Sequence, residues 1–278
     1  MAHRIVLAFG TRPEAIKMAP VARALAARPD EFACRICVTA QHREMLDQAL
    51  AVFDLRADHD LDVMTPNQDL RRITAQVLDG MCRYLEAERP DLVLVHGDTT
   101  STVASALAAF YCGVPVGHVE AGLRSHDKWA PFPAEIFRRL ADVLSDYYFA
   151  PTALARDQLL AEGVPAGRIH VTGNTVVDAL LAVTDRDRPV EDATLARVLA
   201  GGRRLIVLTA HRRESFGAPL HHVFTAVREL ADSVPDAEVV YPVHPNPNVR
   251  VPAGELLSGH PRIHLVPPLG YLDLVTAL

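Results

Sequence analysis

The sequence has few cysteines and no long apolar run. Its four cysteines, among 278 residues, are too few and too scattered for the disulfide framework of a small secreted protein. Cys34 and Cys37 have the spacing of a redox motif but lie in an apolar strand-like run, so we interpret them as structural thiols. No apolar stretch reaches the ~18 residues of a membrane span, and residues 1–10 lack a signal-peptide pattern. We therefore expect a cytoplasmic protein.

Positive charge is not in excess either, and lysine is rare. The sequence has 28 Lys and Arg residues and 34 Asp and Glu residues, which gives a net charge of −6. No general positive field therefore exists to attract nucleic acid or an anionic membrane, and we expect neither as a partner. Lys17 and Lys128 are the two lysines, so each is a mild pointer to a specific role.

What the chain does contain is a regular alternation of apolar runs and helical patterns. Runs at residues 5–9, 34–39, 91–95, 114–119, 147–149 and 169–172 predict strands, and helical segments separate them. A charged stretch at residues 185–189 then precedes a second series with three clear strands, at residues 205–208, 238–243 and 263–266. The pattern predicts an α/β fold of two Rossmann-like, doubly wound parallel-sheet domains, residues 1–175 and 176–278, the second incomplete.

Ligands of open parallel sheets bind beyond the carboxyl ends of the strands, and charged residues cluster there in this sequence. The first such loop has one glycine, Gly10, where a dinucleotide fingerprint needs three, so an NAD site is not expected. Arg12 at a helix start and Lys17 one turn later instead suit an anion such as a diphosphate. The alternative is a structural Arg12 and a solvated Lys17.

Asp98 and Glu120 are the candidates for acid and base chemistry. Each follows an apolar strand, so we expect both to be partly desolvated with a raised pKa. The alternatives are a helix N-cap for Asp98 and an ordinary buried ion pair for Glu120. His211 is a candidate donor to a leaving phosphate or a base, with a core histidine as its alternative. No ligand spacing predicts a metal site.

Seven motifs, in chain order, closely resemble the non-hydrolysing UDP-N-acetylglucosamine 2-epimerase family. They occupy residues 9–20, 39–43, 95–100, 117–124, 172–175, 211–217 and 241–248. The resemblance implies a GT-B-like fold with the active site in a cleft between the domains, no cofactor or metal, and a homodimer. It also implies interconversion of UDP-GlcNAc and UDP-ManNAc by elimination and re-addition of UDP. A hydrolytic epimerase and a catalytically impaired UDP-sugar-binding homologue are the alternatives.

The resemblance assigns roles to individual residues. Asp98 and Glu120 match catalytic acids of the family, and His211 matches a histidine near the diphosphate. The residues predicted to bind substrate are Arg12, Lys17, Arg124, Asn174, Arg212 and His244. Gln41 and His42 match a neighbouring site at which family members bind a second UDP-GlcNAc as activator.

The chain departs from the family at two places. Family members carry Pro-Glu-Glu-x-Asn-Arg after the Glu120 loop, whereas residues 133–138 read Pro-Ala-Glu-Ile-Phe-Arg. Ala134 cannot carry a proton, so Glu135 is predicted to substitute as a catalytic residue; a weakened enzyme or a changed substrate are the alternatives. The printed sequence also stops before the family's Ser-Gly-Gly and Gln-Glu-Glu segment, so we expect weak UDP binding by these 278 residues.

Overall fold

The structure is a computed structural model that describes residues 2–41, 43–65, 69–184, 188–212 and 215–278. It divides into two compact units, Met1–Ala182 and Val183–Leu278. No helix within the described ranges is long and apolar enough to cross a membrane. Each unit is built on a parallel sheet, so the predicted α/β class with two parallel sheets is confirmed.

The described part of the first unit contains seven strands, six complete α-helices and most of a seventh. The strands are β1 (His3–Phe9), β2 (Phe32–Val38), β3 (His59–Asp60), β4 (Leu92–His96), β5 (Val116–Val119), β6 (Tyr147–Ala150) and β7 (Ile169–Val171). The helices are α1 (Arg12–Ala26), α2 (Arg43–Val52), α3 (Leu70–Glu88), α4 (Thr100–Tyr111), α5 (Ala134–Leu144), α6 (Ala153–Ala161) and α7 (Thr175–Thr184).

The strand order of this sheet places the candidate residues at one edge. The order is β3-β2-β1-β4-β5-β6-β7, with all neighbouring strands parallel. The chain adds β2 and β3 on one side of β1, and then adds β4 and the later strands on the other side. The switch point therefore lies between β1 and β4, where the loops diverge and leave a crevice. The loops after β1, β4 and β5 therefore meet at the crevice, and they carry Arg12, Asp98 and Glu120.

The core of the first unit lies on both faces of the central strands. Val93 and Val95 on β4 are fully buried, as the uninterrupted apolar run predicts for a central parallel strand. Ala104 and Ala108 on α4 belong to the same core cluster and are also fully buried. Because their side chains are small, α4 packs closely on the sheet and on α3, which fixes the start of α4 beside the Asp98 loop.

Burial also explains the cysteines. Cys37 on β2 lies in the core of the first unit, and its Sγ is 3.5 Å from Met81 Sδ. Burial raises the pKa of the Cys37 thiol and raises that of Cys34 to about 11. None of the four cysteines forms a disulfide, and the raised thiol pKa values of Cys34 and Cys37 agree with the interpretation of these two as structural thiols.

The second unit has three strands in its described part, in the positions that the sequence predicts. They are β8 (Arg204–Val207), β9 (Ala237–Pro242) and β10 (Ile263–Val266), ordered β10-β9-β8 and all parallel. Its helices are α8 (Ala193–Ala200), α9 (Ala218–Ser233), α10 (Pro247–Leu257) and α11 (Tyr271–Ala277). The core clusters around Phe224 and Tyr241, which pack ring against ring at 5.5 Å.

The division between the units falls within α7, whereas the predicted boundary between residues 175 and 176 stands at the start of that helix. The physical reason is at Asn174. Its Oδ1 accepts a hydrogen bond from the Val176 backbone N–H, and its Nδ2 donates to Glu120 in the first unit. The beginning of α7 is therefore tied to the first sheet.

Candidate active site

The loop after β1 is held in a tight polar enclosure. A Cβ on Gly10 would lie 1.8 Å from Thr39 Oγ1 and 2.5 Å from Ser101 Oγ, so only glycine fits. Thr39 and Ser101 hydroxyls are 2.7 Å apart, and Ser101 Oγ donates to Gln41 Oε1 at 2.9 Å. Gln41, a predicted activator-site residue, is thus a buried part of this enclosure. His42, the other one, lies outside the described residues.

Glu14 is the residue that locks this loop, and the sequence reasoning gave it no role. Its Oε2 accepts hydrogen bonds from the Gly10 and Thr11 backbone N–H groups at 2.9 and 2.7 Å. Its Oε1 accepts from the hydroxyls of Thr99 and Thr102 at 2.6 and 2.9 Å. The Thr-x-x-Glu spacing of a capping box was the signal in the sequence. Glu14 therefore joins the start of α1 to the start of α4.

Arg12 stands at the first position of α1 and is partly exposed. With the residues that the structure describes, its guanidinium makes no hydrogen bond or ion pair. A cation at a helix N-terminus, where backbone N–H groups also point outward, is well placed to bind an anion. The alternative of a structural, capping Arg12 is not supported, because Glu14 makes the side-chain contacts at this helix start.

Glu120 is the centre of the charged cluster at the end of β5. Lys17 Nζ donates to its Oε2 at 2.6 Å, and Asn174 Nδ2 donates to the same atom at 2.9 Å. His96 Nε2 lies 3.3 Å from that oxygen. The side chains of Lys17 and Glu120 retain 21% and 13% exposure, so the pair is accessible to a small ligand. Three side chains, an ammonium, an amide and an imidazole, thus converge on one carboxylate oxygen.

The backbone and the charge state of Glu120 are both unusual. Its φ of 67° is in the left-handed region, which side chains other than glycine and asparagine rarely adopt and which is frequent at functional sites. Burial acts to raise the pKa of Glu120, but neighbouring His96 and Lys17 outweigh it and lower the pKa to about 2. The raised pKa expected from burial is therefore wrong for Glu120, because the ammonium and the imidazole stabilise its charged form.

Asp98 follows β4 and pairs with a cation that the sequence reasoning did not single out. Arg138 Nη2 on α5 donates to Asp98 Oδ2 at 2.5 Å. The N-cap of α4 is Thr99, whose hydroxyl accepts from the Thr102 N–H, so the N-cap alternative for Asp98 is wrong. The carboxylate of Asp98 is partly exposed and is held toward α5.

Glu135, the predicted substitute for the family glutamate, is almost fully buried. Only 1% of its side chain is exposed, and it accepts hydrogen bonds from the backbone N–H groups of Ser125 and His126 at 2.8 and 3.2 Å. Burial acts to raise the pKa of Glu135, but these N–H groups and Arg138 hold it below its usual range. Its carboxylate shapes the Ser125 loop, and Arg138 Nη1, 3.7 Å away, links it to the Asp98 pair.

The structure does not support the substrate-binding role predicted for Arg124. Its side chain is 1% exposed and its donors are used by the protein. Nη2 contacts Asp142 at 2.7 Å and Glu162 at 2.6 Å, Nε contacts Glu162 at 2.8 Å, and Nη1 contacts the Leu123 carbonyl at 2.7 Å. Arg124 is therefore a buried structural cation beneath the Glu120 loop.

His118 completes this buried network and carries a charge. Its Nδ1 lies 2.6 Å from an Asp142 carboxylate oxygen, and its Nε2 lies 2.7 Å from the Gly97 carbonyl oxygen. Both neighbours are acceptors, so both ring nitrogens must donate and the ring is an imidazolium. Burial acts to lower the pKa of His118, but Asp142 outweighs it and the pKa is raised. This cation fixes the peptide that precedes Asp98.

The candidates in the second unit form a different arrangement. His211 follows β8 and His244 follows β9, and their rings stack at 5.4 Å with an interplanar angle of 16°. Both side chains are exposed, as is Arg212. His244 Nδ1 accepts a hydrogen bond from the Asn246 N–H at 3.1 Å. The core alternative for His211 is therefore wrong.

The structure thus brings Lys17, Glu120 and Asn174 into one cluster, and it joins Asp98 to Glu135 through Arg138. It also pairs His211 with His244 within the second unit. The sequence reasoning gave no role to Glu14, His118 or Arg138. Among the described residues, no group of three or more His, Cys, Asp and Glu side chains is arranged to hold a metal ion.

Comparison with known proteins identifies relatives over nearly the whole chain. Residues 23–278 match the family model of UDP-N-acetylglucosamine 2-epimerase. The chain is 50% identical to the UDP-N-acetylglucosamine 2-epimerase of Yersinia pestis over 277 residues, which are 98% of this chain and 73% of that protein.

Solved structures agree with the sequence match. The UDP-GlcNAc 2-epimerase of Neisseria meningitidis, crystallised with UDP-GlcNAc, is 44% identical and has a TM-score of 0.87, with 98% of this chain and 74% of that chain covered. The Methanocaldococcus jannaschii UDP-GlcNAc 2-epimerase, crystallised with UDP-GlcNAc and UDP, is 29% identical with a TM-score of 0.76, covering 98% and 75%.

Proposed function

The chain belongs to the UDP-N-acetylglucosamine 2-epimerase family, and from this membership we propose that it interconverts UDP-GlcNAc and UDP-ManNAc without a cofactor. The observation that carries the proposal is the cluster at the end of β5. There Glu120 is held as a carboxylate by Lys17 and Asn174, beside the Asp98 loop. A base, a cation and a second carboxylate are the groups that elimination and re-addition of UDP require.

The chemistry explains why such a site uses carboxylates. The C2 hydrogen beside an acetamido group is not acidic, so the C1–oxygen bond breaks first and UDP leaves with the bonding electron pair. The developing positive charge at C1 is stabilised by a carboxylate and makes the C2 hydrogen labile. Loss of that proton to a carboxylate gives a glycal. Protonation of C2 on the opposite face and addition of UDP to C1 then give the epimer.

We assign the two proton transfers at C2 to Glu120 and Asp98, because they follow neighbouring parallel strands and each has its own cation. Lys17 has a second role in this scheme. While its ammonium contacts Glu120, the low pKa makes that carboxylate a weak base. The diphosphate of the substrate competes for the ammonium, and movement of Lys17 toward the phosphate raises the pKa of Glu120. Substrate binding thus activates the base.

The remaining assignments divide by unit. In the first unit, Arg12 binds the diphosphate together with Lys17, since its guanidinium makes no hydrogen bond or ion pair with the described residues and stands at a helix start. In the second unit, His211, Arg212 and His244 follow strands β8 and β9 and are exposed for contact with UDP. The homodimer and the cytoplasmic location remain predictions.

The test is exchange of hydrogen at C2. The natural gene product is incubated with UDP-GlcNAc in D2O, and the recovered nucleotide sugars are analysed by NMR. We expect deuterium at C2 of both epimers at equilibrium, with the UDP group still covalently attached to each sugar. Absence of C2 deuterium would exclude epimerisation by this route. Stoichiometric release of free UDP and ManNAc would instead favour the hydrolytic reaction.

One observation favours a second candidate, a UDP-sugar-binding homologue with impaired catalysis. Ala134 occupies the position of the family glutamate, and the carboxylate of Glu135 is engaged by the backbone of Ser125 and His126. The variant A134E separates the two. An increase in C2 exchange supports an enzyme weakened by Ala134, whereas UDP-GlcNAc binding with no exchange in either protein supports the binding homologue.

A further inference from the structure

His96, the last residue of β4, has a buried side chain that no assigned role explains. Only 4% of it is exposed, and neither Nδ1 nor Nε2 has an aligned hydrogen-bond partner in the part of the chain that is described. Its Nε2 is nevertheless 3.3 Å from Glu120 Oε2. A histidine buried only for packing would leave two polar atoms unsatisfied, which costs free energy and is uncommon in folded proteins.

The neighbours of Glu120 differ in how mobile they are. Lys17 reaches the carboxylate from α1 by a long flexible chain and retains 21% exposure, so a ligand anion can draw it away. His96 comes from β4 at the centre of the sheet and has no comparable freedom, because β4 is hydrogen-bonded to β1 and β5 on either side. Asn174 is uncharged. After Lys17 moves, His96 is the ionisable group left beside Glu120 among the described residues.

We propose that His96 is a positioning residue for Glu120: its Nε2 holds the carboxylate in place and favours the ionised form while Lys17 is engaged by the substrate diphosphate. This rests on the proposed function, in which Glu120 takes the C2 proton. Catalytic hydrogen bonds are often long or poorly aligned in ligand-free proteins and shorten when substrate binds. The 3.3 Å contact between His96 Nε2 and Glu120 Oε2 is a long contact of this kind.

The kinetic test compares H96M, which removes the donor, with H96Q, which keeps an amide donor near the position of Nε2. The titratable groups facing Glu120 are Lys17 from α1 and His96 from β4. Lys17 is the same in both variants, so a difference in their pH profiles reports on position 96. We expect H96M to lower kcat at least tenfold with KM within threefold. The acid limb of its kcat/KM profile should move up by about one pH unit, and H96Q should restore most of kcat.

The matched control is H264M in the second unit, since His264 Nε2 lies 3.1 Å from Glu238 and the two side chains are similarly buried. It should leave kcat and the pH profile unchanged. An H96M profile equal to that of the natural protein would overturn the proposal, as would an H96M defect confined to KM. If circular dichroism shows that H96M is unfolded, H96Q is tested instead. The acid limb of its kcat/KM profile should lie at higher pH than that of the natural protein.

A second readout does not depend on turnover. The ¹³C carboxyl resonance of Glu120, assigned with E120Q, should show an ionised group at pH 4 in the natural protein and in H264M. In H96M it should show partial protonation, and an identical resonance in all three would overturn the proposal. If the natural protein exchanges no hydrogen at C2, the proposed function fails, but this resonance still decides whether His96 acts on Glu120.

Discussion

The strand-end loops of the first unit and those of the second differ in how their charged side chains are held. In the first unit, Glu120 and Arg124 are largely buried and contacted by several partners. In the second, His211 and His244 are exposed and stack on each other. The difference shows that the first unit holds its charged side chains in place through its own contacts. The second unit offers side chains whose orientation a ligand can still set.

The largest effect on stability should come from the buried cation of the first unit. Replacing Arg124 with Met leaves Asp142 buried beside His118 with one cation fewer, and we expect a loss of about 3–5 kcal/mol in the free energy of unfolding. The matched change R203M removes the half-exposed partner of Glu238 and should cost at most about 1 kcal/mol.

Both losses in the free energy of unfolding can be measured in a urea series in which hydrogen exchange is monitored separately on peptides from each unit. Equal losses in R124M and R203M would mean that the two units hold their charges alike. A large rise in KM with unchanged stability in R124M would restore Arg124 as a substrate-binding residue.

Lys17 tests whether the organised charge of the first unit also serves the ligand. K17M removes a charge-assisted contact worth about 1.5–3 kcal/mol, so kcat/KM for UDP-GlcNAc should fall roughly 10- to 100-fold. Because the pKa of Glu120 rises without the ammonium, the acid limb of the profile should also move to higher pH. Steady-state kinetics over a pH series measure both. An unchanged acid limb would show that Lys17 does not lower the pKa of Glu120 in the free enzyme.

The pH dependence of stability should distinguish the units on the alkaline side. His118 has a raised pKa in the folded protein, so its contribution is complete below about pH 6.5 and is lost as pH rises through the folded value. Asp142 has a lowered pKa, so its contribution is lost as pH falls below about 4. The Tm of the natural protein should decline between pH 6 and 10, and the Tm of H118Q should not show this decline. Parallel curves would show that His118 does not stabilise the fold as an imidazolium.

The smallest effect should be that of H211A. Because the ring is exposed, the free energy of unfolding should change by no more than about 0.5 kcal/mol, while UDP binding weakens. Calorimetry with UDP and urea unfolding of the same sample measure the two effects. Substantial destabilisation without a change in UDP binding would make His211 a structural residue.

Local pattern predicted much of this fold because the chain follows it closely. The apolar run before Asp98 predicted a central strand, and β4 occupies it within a residue at each end. By contrast, β3 has two residues, which is too short for any periodicity to show. The helix α10 was not predicted, although Asn246 and Pro247 are good residues for a helix start.

The candidate site was predicted less well than the fold, because its properties depend on distant partners. Glu120 was expected to have a raised pKa from burial alone, but Lys17, 103 residues earlier, reverses the direction. Arg124 was taken for a ligand contact because its sequence position does not reveal that Asp142 and Glu162 neutralise it. Strand ends identified which residues matter, and tertiary contacts decided what each one does.

The most direct test of the central claim uses E120Q, with E238Q as the matched change of a buried, ion-paired glutamate in the second unit. UDP affinity by calorimetry and deuterium at C2 by NMR are measured on the same samples. If Glu120 is the base, E120Q should keep UDP binding within a few-fold and lose about 10²–10⁴ in exchange rate, and E238Q should lose neither. Exchange by E120Q at the rate of the natural protein would contradict the account.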